Sequence, residues 1–185
     1  MFSEDGSRSR SHGLRPEIVL RQAELLGVEL ACGRCSWQTY EQEFKRVLGE
    51  LHTRGFTDVV FGDIMLDPHK QWVERVCGEV GLKATEPLWG ESTTALFHEF
   101  LGLGAEAQIV AVKASLLDEN WVGQTLRTEM LPEFERLGVD ACGENGEYHT
   151  LATNAPAFAA PLKVKETGRL LRDGYWVLDL SLEPE

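Results

Sequence analysis

Apolar positions recur along this chain first at helical and then at strand spacing. Ile18, Val19, Leu20, Ala23 and Leu26, with Pro16 suited to a first turn and Gly27 as a stop, predict a helix over 15–26. Residues 28–31 read as a short strand, and Phe44, Val47, Leu48 and Leu51 are spaced for a helix over 39–54 that Gly55 ends. The run Asp58-Val59-Val60-Phe61-Gly62-Asp63 is continuously apolar between acids, which predicts a strand buried on both faces of a parallel sheet. The alternation continues with helices over 68–78, 93–103 and 126–137, the last interrupted early by Pro132, and with strands over 82–85 and 107–113. Strands are expected over 147–153, 162–167 and 175–182, with Arg172-Asp173-Gly174 as the turn joining the last two. Helix–strand alternation with short connections predicts an α/β fold, a largely parallel sheet flanked by helices, and the closing strands predict a small antiparallel addition.

Between the last helix and the closing strands, residues 138–150 carry Gly138, Gly143 and Gly146 with Glu144, Asn145, Glu147 and His149 and almost no aliphatic side chain. Such a run is not core. Gly143 and Gly146 allow positive φ and close backbone approach, so Glu144, Asn145 and Glu147 can converge on a bound group; a surface turn leading into a strand, or a salt-bridged turn, is the alternative. Tyr148 and His149 alternate across a strand, so one of the two faces a site there.

In parallel sheets ligands bind beyond the carboxyl ends of strands, which singles out Gly62 and Asp63. Asp63 reads either as a carboxylate facing a nucleotide crevice or its metal, or as a cap. Asp67-Pro68 reads as ordinary capping and His69 as a solvated first-turn residue. His12, before Gly13 at the start of a helix, could meet an anion or lie on the surface, and Trp89 after Pro87 could pack in the core or stack on a ligand.

A hydrophobic content of 43% over 185 residues suffices for a real core in one domain, or one domain with a small addition. The net charge of −12 argues against gripping a nucleic-acid backbone but leaves a small anion possible, because glycine-loop N–H groups bind phosphate without net positive charge. Cys32-x-x-Cys35 has no second half to complete a metal set, so the cysteines are expected as reduced thiols and no metal site is assigned to protein side chains. No apolar run approaches the ~20 residues of a membrane span, and a soluble cytoplasmic protein is expected.

The run from Cys142 to Thr150 resembles the signature of the diphthine:ammonia ligase-related ATP pyrophosphatases, a branch of the N-type (PP-loop) ATP pyrophosphatase superfamily. Ser11-His12-Gly13, Thr39-Tyr40-Glu41 with Phe44, residues 59–64 with Leu66-Asp67, Pro87-Leu88-Trp89-Gly90, and Pro156 with Phe158 resemble further blocks of that family in the same order. The resemblance implies a Rossmann-like, adenine nucleotide alpha hydrolase-like fold, divided as a nucleotide-binding part over 1–137 and a signature loop with closing strands over 138–185. It also implies an activity: ATP is split to AMP and pyrophosphate, a carboxylate is activated as its acyl adenylate, and ammonia displaces AMP to give an amide. In the best-known branch the carboxylate is diphthine on translation elongation factor 2. ATP and Mg2+ are the implied cofactors, with an ammonia donor as a further partner. Glu144 and Glu147 become catalytic candidates that hold magnesium, orient ammonia or position substrate. Gly62, Asp63 and His12 fall on the nucleotide side, and Gly143, Asn145, Gly146, Tyr148, His149 and Trp89 on the substrate side. On this reading Glu144 and Glu147 are expected in one pocket with Asp63.

Two departures qualify it. The diphthine branch has glycine where Asn145 stands and glutamate where His149 stands, so this chain resembles the less characterised branch and diphthine is one candidate substrate. The superfamily's phosphate loop, S-G-G-K-D-S, does not occur in the sequence. The resemblance places that loop and the first, central strand ahead of Met1, roughly 40 residues in strand and helix lengths. With a strand order of 3-2-1-4-5, residues 28–31 would be strand 3 and 58–63 strand 4. A gap beside the latter, poor stability and no ATP hydrolysis by these residues alone are then expected. A non-catalytic nucleotide- or partner-binding remnant, and a tRNA-modifying PP-loop ATPase, are the other readings; the acidic charge counts against the last.

Overall fold

A computed structural model describes residues 1–184. In chain order its helices are α1 Pro16–Leu26, α2 Tyr40–Thr53, α3 Asp67–Glu79, α4 Thr93–Gly102 and α5 Leu131–Leu137. Its strands are β1 Asp58–Val60, β2 Lys83–Thr85, β3 Glu106–Lys113, β4 Tyr148–Asn154, β5 Val164–Arg172 and β6 Tyr175–Leu182. The chain forms two compact units, one of Met1–Gly6 with Ala31–Ser92, the other of Ser7–Leu30 with the chain from Thr93 onward.

In the first unit β1 and β2 pair in parallel, with Asp58 opposite Lys83 and Val60 opposite Thr85. Leu48 of α2, Cys77 of α3 and Leu82 form its buried core, and Phe44, Leu51, Val59 and Phe61 pack on them. The strand predicted over 58–63 is three residues long and is not buried on both faces, since Val60 is 68% exposed. An apolar run records what can be buried, whereas a strand's covering is set by neighbours distant in sequence. Among the described residues β1 pairs only with β2, so its other edge carries no ladder. The strand expected over 28–31 is absent. Gly27 caps α1 in the left-handed region at φ 67°, the Val28 N–H returns to the Ala23 carbonyl, and Val28 lies exposed. Phe2 pairs instead with the neighbourhood of Arg34, its N–H donating to the Gly33 carbonyl at 2.9 Å and its carbonyl accepting from the Cys35 N–H at 3.0 Å.

The second unit is built on an antiparallel sheet of order β4-β3-β6-β5. The expected turn joins β5 to β6, with Asp173 and Gly174 both at positive φ (51° and 81°), as a two-residue hairpin loop requires. Central β3 is buried on both faces through Ile109, Val110, Ala111 and Val112, and packs with Ile18, Phe97, Phe134, Leu151, Leu178 and Leu180. The apolar run over 107–113 was the pattern of a parallel strand, yet it pairs antiparallel on both sides. Burial on both faces suits either direction of pairing, so the pattern could not choose. The antiparallel sheet is consequently the larger of the two rather than a small addition. Pro132 does not interrupt a helix over 126–137; it sits in the first turn of the shorter α5, after a 3-10 turn over Thr128–Met130, where its missing N–H costs nothing. A parallel sheet in one unit and an antiparallel sheet in the other, with helices against them, make this an α/β protein. Among the described residues no helix is long and apolar enough to cross a membrane.

Candidate functional site

Helix α5 ends at Gly138, left-handed at φ 68°, and the chain from there to β4 is a succession of turns held by two carboxylates. Asp140 accepts from the Thr93 hydroxyl through Oδ1 (2.7 Å) and from the backbone N–H groups of Cys142 (2.9 Å) and Glu144 (3.2 Å) through Oδ2. Glu147 closes the other end: Oε1 accepts from the Asp140 N–H (3.0 Å) and the Asn145 side-chain amide (3.1 Å), and Oε2 from the Asn145 N–H (3.0 Å). Glu147 is only 4% exposed. Its carboxylate is therefore spent on its own loop. It could join a metal only by giving up those bonds, and among the described residues no group of three or more His, Cys, Asp or Glu is placed to hold one. The neighbouring Cys142 thiol donates to the Thr93 carbonyl at 3.2 Å, and burial followed by the charge of Asp140 pushes its pKa up to about 11, which keeps it protonated and unreactive.

The loop's glycines have different tasks. Gly143, at φ 71°, lies where an added Cβ would stand 2.8 Å from the Tyr148 carbonyl oxygen and 3.1 Å from its ring, whereas a Cβ at Gly146 (φ 75°) would meet nothing nearer than the Tyr175 hydroxyl at 3.6 Å. Gly143→Ala is thus expected to combine backbone strain with a clash and to cost about 2–3 kcal/mol, and Gly146→Ala the strain alone, about 1 kcal/mol. Urea unfolding of the two variants checks this, and equal losses would show that the contact with Tyr148 is not limiting.

Tyr148 and His149 part company as alternation requires. Tyr148 enters the core, its ring 5.2 Å from that of Phe134 and its hydroxyl donating to the Ala141 carbonyl at 2.5 Å. It supports the loop from beneath. His149 takes the other face, with ring centroids 4.9 Å from His12 and 6.0 Å from Tyr175, whose hydroxyl donates to the Gly146 carbonyl at 2.9 Å. Pairing of β3 with both β4 and β6 brings this about, since Ala111 lies opposite both His149 and Val177 and Lys113 opposite Tyr175. Burial, and then the neighbouring His149, lower the His12 pKa to about 4; burial lowers that of His149. Both rings are neutral at pH 7.

His12 is held by ionic contacts on either side. Arg8 donates to the Gly13 carbonyl (3.2 Å) and to Asp179 (2.5 Å), and Arg15 donates to Asp179 at 2.7 Å, as does the Thr167 hydroxyl at 2.9 Å. The Arg15 guanidinium, with Arg8 and Thr167, holds the Asp179 carboxyl well below the usual range. Gly13 lies close to β6, where a Cβ would stand 3.1 Å from Val177.

The second unit thus gathers His12, Gly143, Asn145, Gly146, Glu147 and His149 around one loop, with Glu144 half-buried and Asn145 exposed on it. Gly62, Asp63 and Trp89 belong to the first unit. Asp63 stands 3.2 Å from the His69 ring and lines an open cleft with aromatic side chains, and Trp89 carries the Lys70 ammonium 4.5 Å above its ring. Sequence reasoning missed Asp140, Asp179 and Tyr175. Asp140 had a local signal, an Asp two residues ahead of the N–H it accepts from in a glycine-rich turn. The other two become visible only with the pairing of β6.

This α/β chain sets a Gly-Glu-Asn-Gly loop, braced by buried Glu147 and half-buried Asp140, beside a histidine pair, and its sequence matches the diphthamide synthases over both of their domains. Residues 1–84 match a family model described as the diphthamide synthase N-terminal domain, and residues 92–181 match the diphthamide synthase C-terminal domain. The chain is 34% identical over 131 residues to diphthine–ammonia ligase of Danio rerio, covering 68% of this chain and 50% of that one. Against the protein of the same name in Rattus norvegicus it is 34% identical over 111 residues, 57% of this chain and 41% of the relative, and in Schizosaccharomyces pombe 30% over 100 residues, 52% and 16%. The chain belongs to the diphthine:ammonia ligase-related family, and it spans half or less of the length of these curated relatives.

Proposed function

We propose that the chain is part of an ATP-dependent amide-forming ligase, which adenylates a carboxylate with release of pyrophosphate and lets ammonia displace AMP. The observation that carries this reading is the match to both diphthamide synthase domains in order, with the signature loop folded as a braced unit at the entrance to β4. ATP supplies the leaving group that makes a carboxylate open to attack by ammonia. Around it the loop's residues position, shield and exchange protons. Glu144 is assigned to the reacting groups, as the carboxylate that orients ammonia or positions the substrate. Glu147 is a positioning residue, acting through the Asp140 and Asn145 groups it holds. Gly143, Asn145 and Gly146 present loop backbone and amide to the substrate. His149, neutral at pH 7 because of its burial, can accept the proton that the attacking nitrogen must lose. Within the first unit, Gly62 and Asp63 are assigned to the nucleotide. Asn145 and His149 stand where the diphthine branch differs, so diphthine on elongation factor 2 is the first carboxylate to test and not the only candidate.

Phosphate-loop chemistry is not supplied by these residues, since no S-G-G-K-D-S run occurs among them. The test follows AMP and pyrophosphate release from ATP with magnesium, ammonium and diphthine-bearing elongation factor 2. It uses the 185-residue chain alone and joined in frame behind a segment carrying that loop. Expected are release by the joined protein only, and a loss of about a hundredfold in kcat for Glu144→Gln with little change in ATP affinity. AMP release dependent on tRNA would move the reading to a tRNA-modifying ATPase. ATP binding without release, for every carboxylate tried, would leave a non-catalytic binding module.

A further inference from the structure

Strand β5 is the open edge of the antiparallel sheet. At the opposite edge the β4 carbonyls of Ala152 and Thr153 accept from the Gln22 side chain (2.9 Å) and the Leu162 N–H (2.7 Å). Among the described residues no backbone hydrogen bond from outside the sheet reaches β5. The hairpin sets which of its groups face outward. Arg172 and Tyr175 close a two-residue turn and so exchange both hydrogen bonds, and alternation along β6 turns Val177, Asp179 and Ser181 toward β5 as well. Their partners Leu170, Gly168 and Lys165 face inward, which leaves Val164, Glu166, Arg169 and Leu171 with N–H and C=O pointing out of the sheet. The register shift between Glu166 and Gly168 moves the outward set from even to odd numbers.

Those four residues also share one face of the sheet. Their β6 partners are Leu182, Leu180, Leu178 and Trp176, all packed on the core, and Arg169 pairs with Glu166 at 2.8 Å across the bulge. In order they run apolar, acid, base, apolar. An antiparallel second copy centred between Thr167 and Gly168 sets Val164 against Leu171 and Glu166 against Arg169, each twice. Leu171, 56% exposed, gains cover from this. Arg169 donates from Nε and one terminal nitrogen to Glu166 and from the other to the Glu119 carbonyl (3.0 Å), so each terminal nitrogen keeps an N–H for a second carboxylate. A bulge on an edge strand ordinarily keeps foreign strands away, because a visitor has no matching extra residue. A second copy brings that extra residue to the same place.

We propose that β5 pairs antiparallel with β5 of a second copy of this chain, about a two-fold axis between Thr167 and Gly168, so that the two antiparallel sheets become one. The pairing uses neither nucleotide nor carboxylate substrate, so this inference and the ligase reading succeed or fail separately. Sedimentation equilibrium of the 185-residue chain is expected to show monomer and dimer in exchange, with a Kd roughly in the micromolar range, as suits a small interface. Glu166→Arg sets base against base between copies and Arg169→Glu sets acid against acid, and each variant alone is expected to weaken the dimer at least about tenfold. An equimolar mixture of the two restores opposite charges between copies but not within either one, and is expected to dimerise about as tightly as the parent. Damage to the fold from losing the internal ion pair cannot produce that rescue. Leu171→Lys, at an exposed position, is expected to melt as the parent does and to weaken the dimer. Hydrogen exchange at Glu166, Arg169 and Leu171 is expected to slow as the parent is concentrated. A parent that stays monomeric throughout, single variants that dimerise as the parent does, or a mixture without rescue would each overturn the proposal, and so would protection of these amides only by an added unrelated peptide.

Discussion

Glu147→Ala is expected to destabilise the chain by about 3–5 kcal/mol, because it removes a buried carboxylate that accepts from two part-buried backbone N–H groups and a side-chain amide. The N–H groups of Asp140 and Asn145 and the Asn145 amide all converge on this carboxylate, and the residue is 4% exposed. Each orphaned buried donor costs about 1–3 kcal/mol, more where the lost acceptor was charged. Glu147→Gln keeps the volume but must turn an NH2 group toward one of the donors, so an intermediate loss of about 2 kcal/mol is expected. For a chain of this size the alanine variant should melt roughly 6–15 °C lower. The loss is local in origin, so hydrogen exchange at Asp140 and Asn145, whose N–H groups lose their acceptor, should rise before that of β3. An alanine variant that unfolds within about 0.5 kcal/mol of the parent would show that the loop does not depend on this carboxylate.

The same residue shows how far the site was legible beforehand. A cluster of acids between glycines marked the loop, but nothing local distinguished Glu147, turned inward to its own backbone, from half-exposed Glu144. The difference lies in where β4 begins. Tyr148 is the first residue of the strand and drops into the core beside Phe134, which carries its predecessor inward as well. Helices were legible to within a residue or two at Gly27, Gly55 and Pro68, but not at Pro132, where the helix expected over 126–137 begins only at Leu131. The β5–β6 hairpin was legible from Asp173-Gly174, whose turn demands positive φ at both positions. Direction of strand pairing was not legible. The segment over 107–113 is buried on both faces, and side-chain pattern records burial rather than the sense of the neighbour. His12 and His149 were each singled out alone; their contact depends on β4 and β6 both pairing with β3, a tertiary fact without a local signature.

That contact gives the chain a defined acid response. Between pH 6.5 and about pH 4 stability is expected to fall as the pH falls, by on the order of 3 kcal/mol from His12, taking 1.36 kcal/mol per pKa unit. Burial, and the nearness of His149, disfavour the charged His12 ring, so its pKa drops from 6.5 to about 4. Within this window the unfolded chain binds a proton that the folded chain refuses. Its contribution is therefore intact above the unfolded value near 6.5, declines below it, and levels off once the folded form also protonates near pH 4. His149, lowered by burial, acts in the same sense, and protonating either ring raises the cost of protonating the other 4.9 Å away. Asp179 does not confuse the reading. Its carboxyl is held below the usual range by Arg15, Arg8 and Thr167, so its contribution disappears at lower pH. Urea unfolding at half-unit intervals from pH 7 to pH 4 measures the slope, and His12→Gln, which keeps a polar side chain that does not titrate, should flatten it. A parent and a His12→Gln variant with parallel pH profiles would mean that the two imidazoles do not share a buried site.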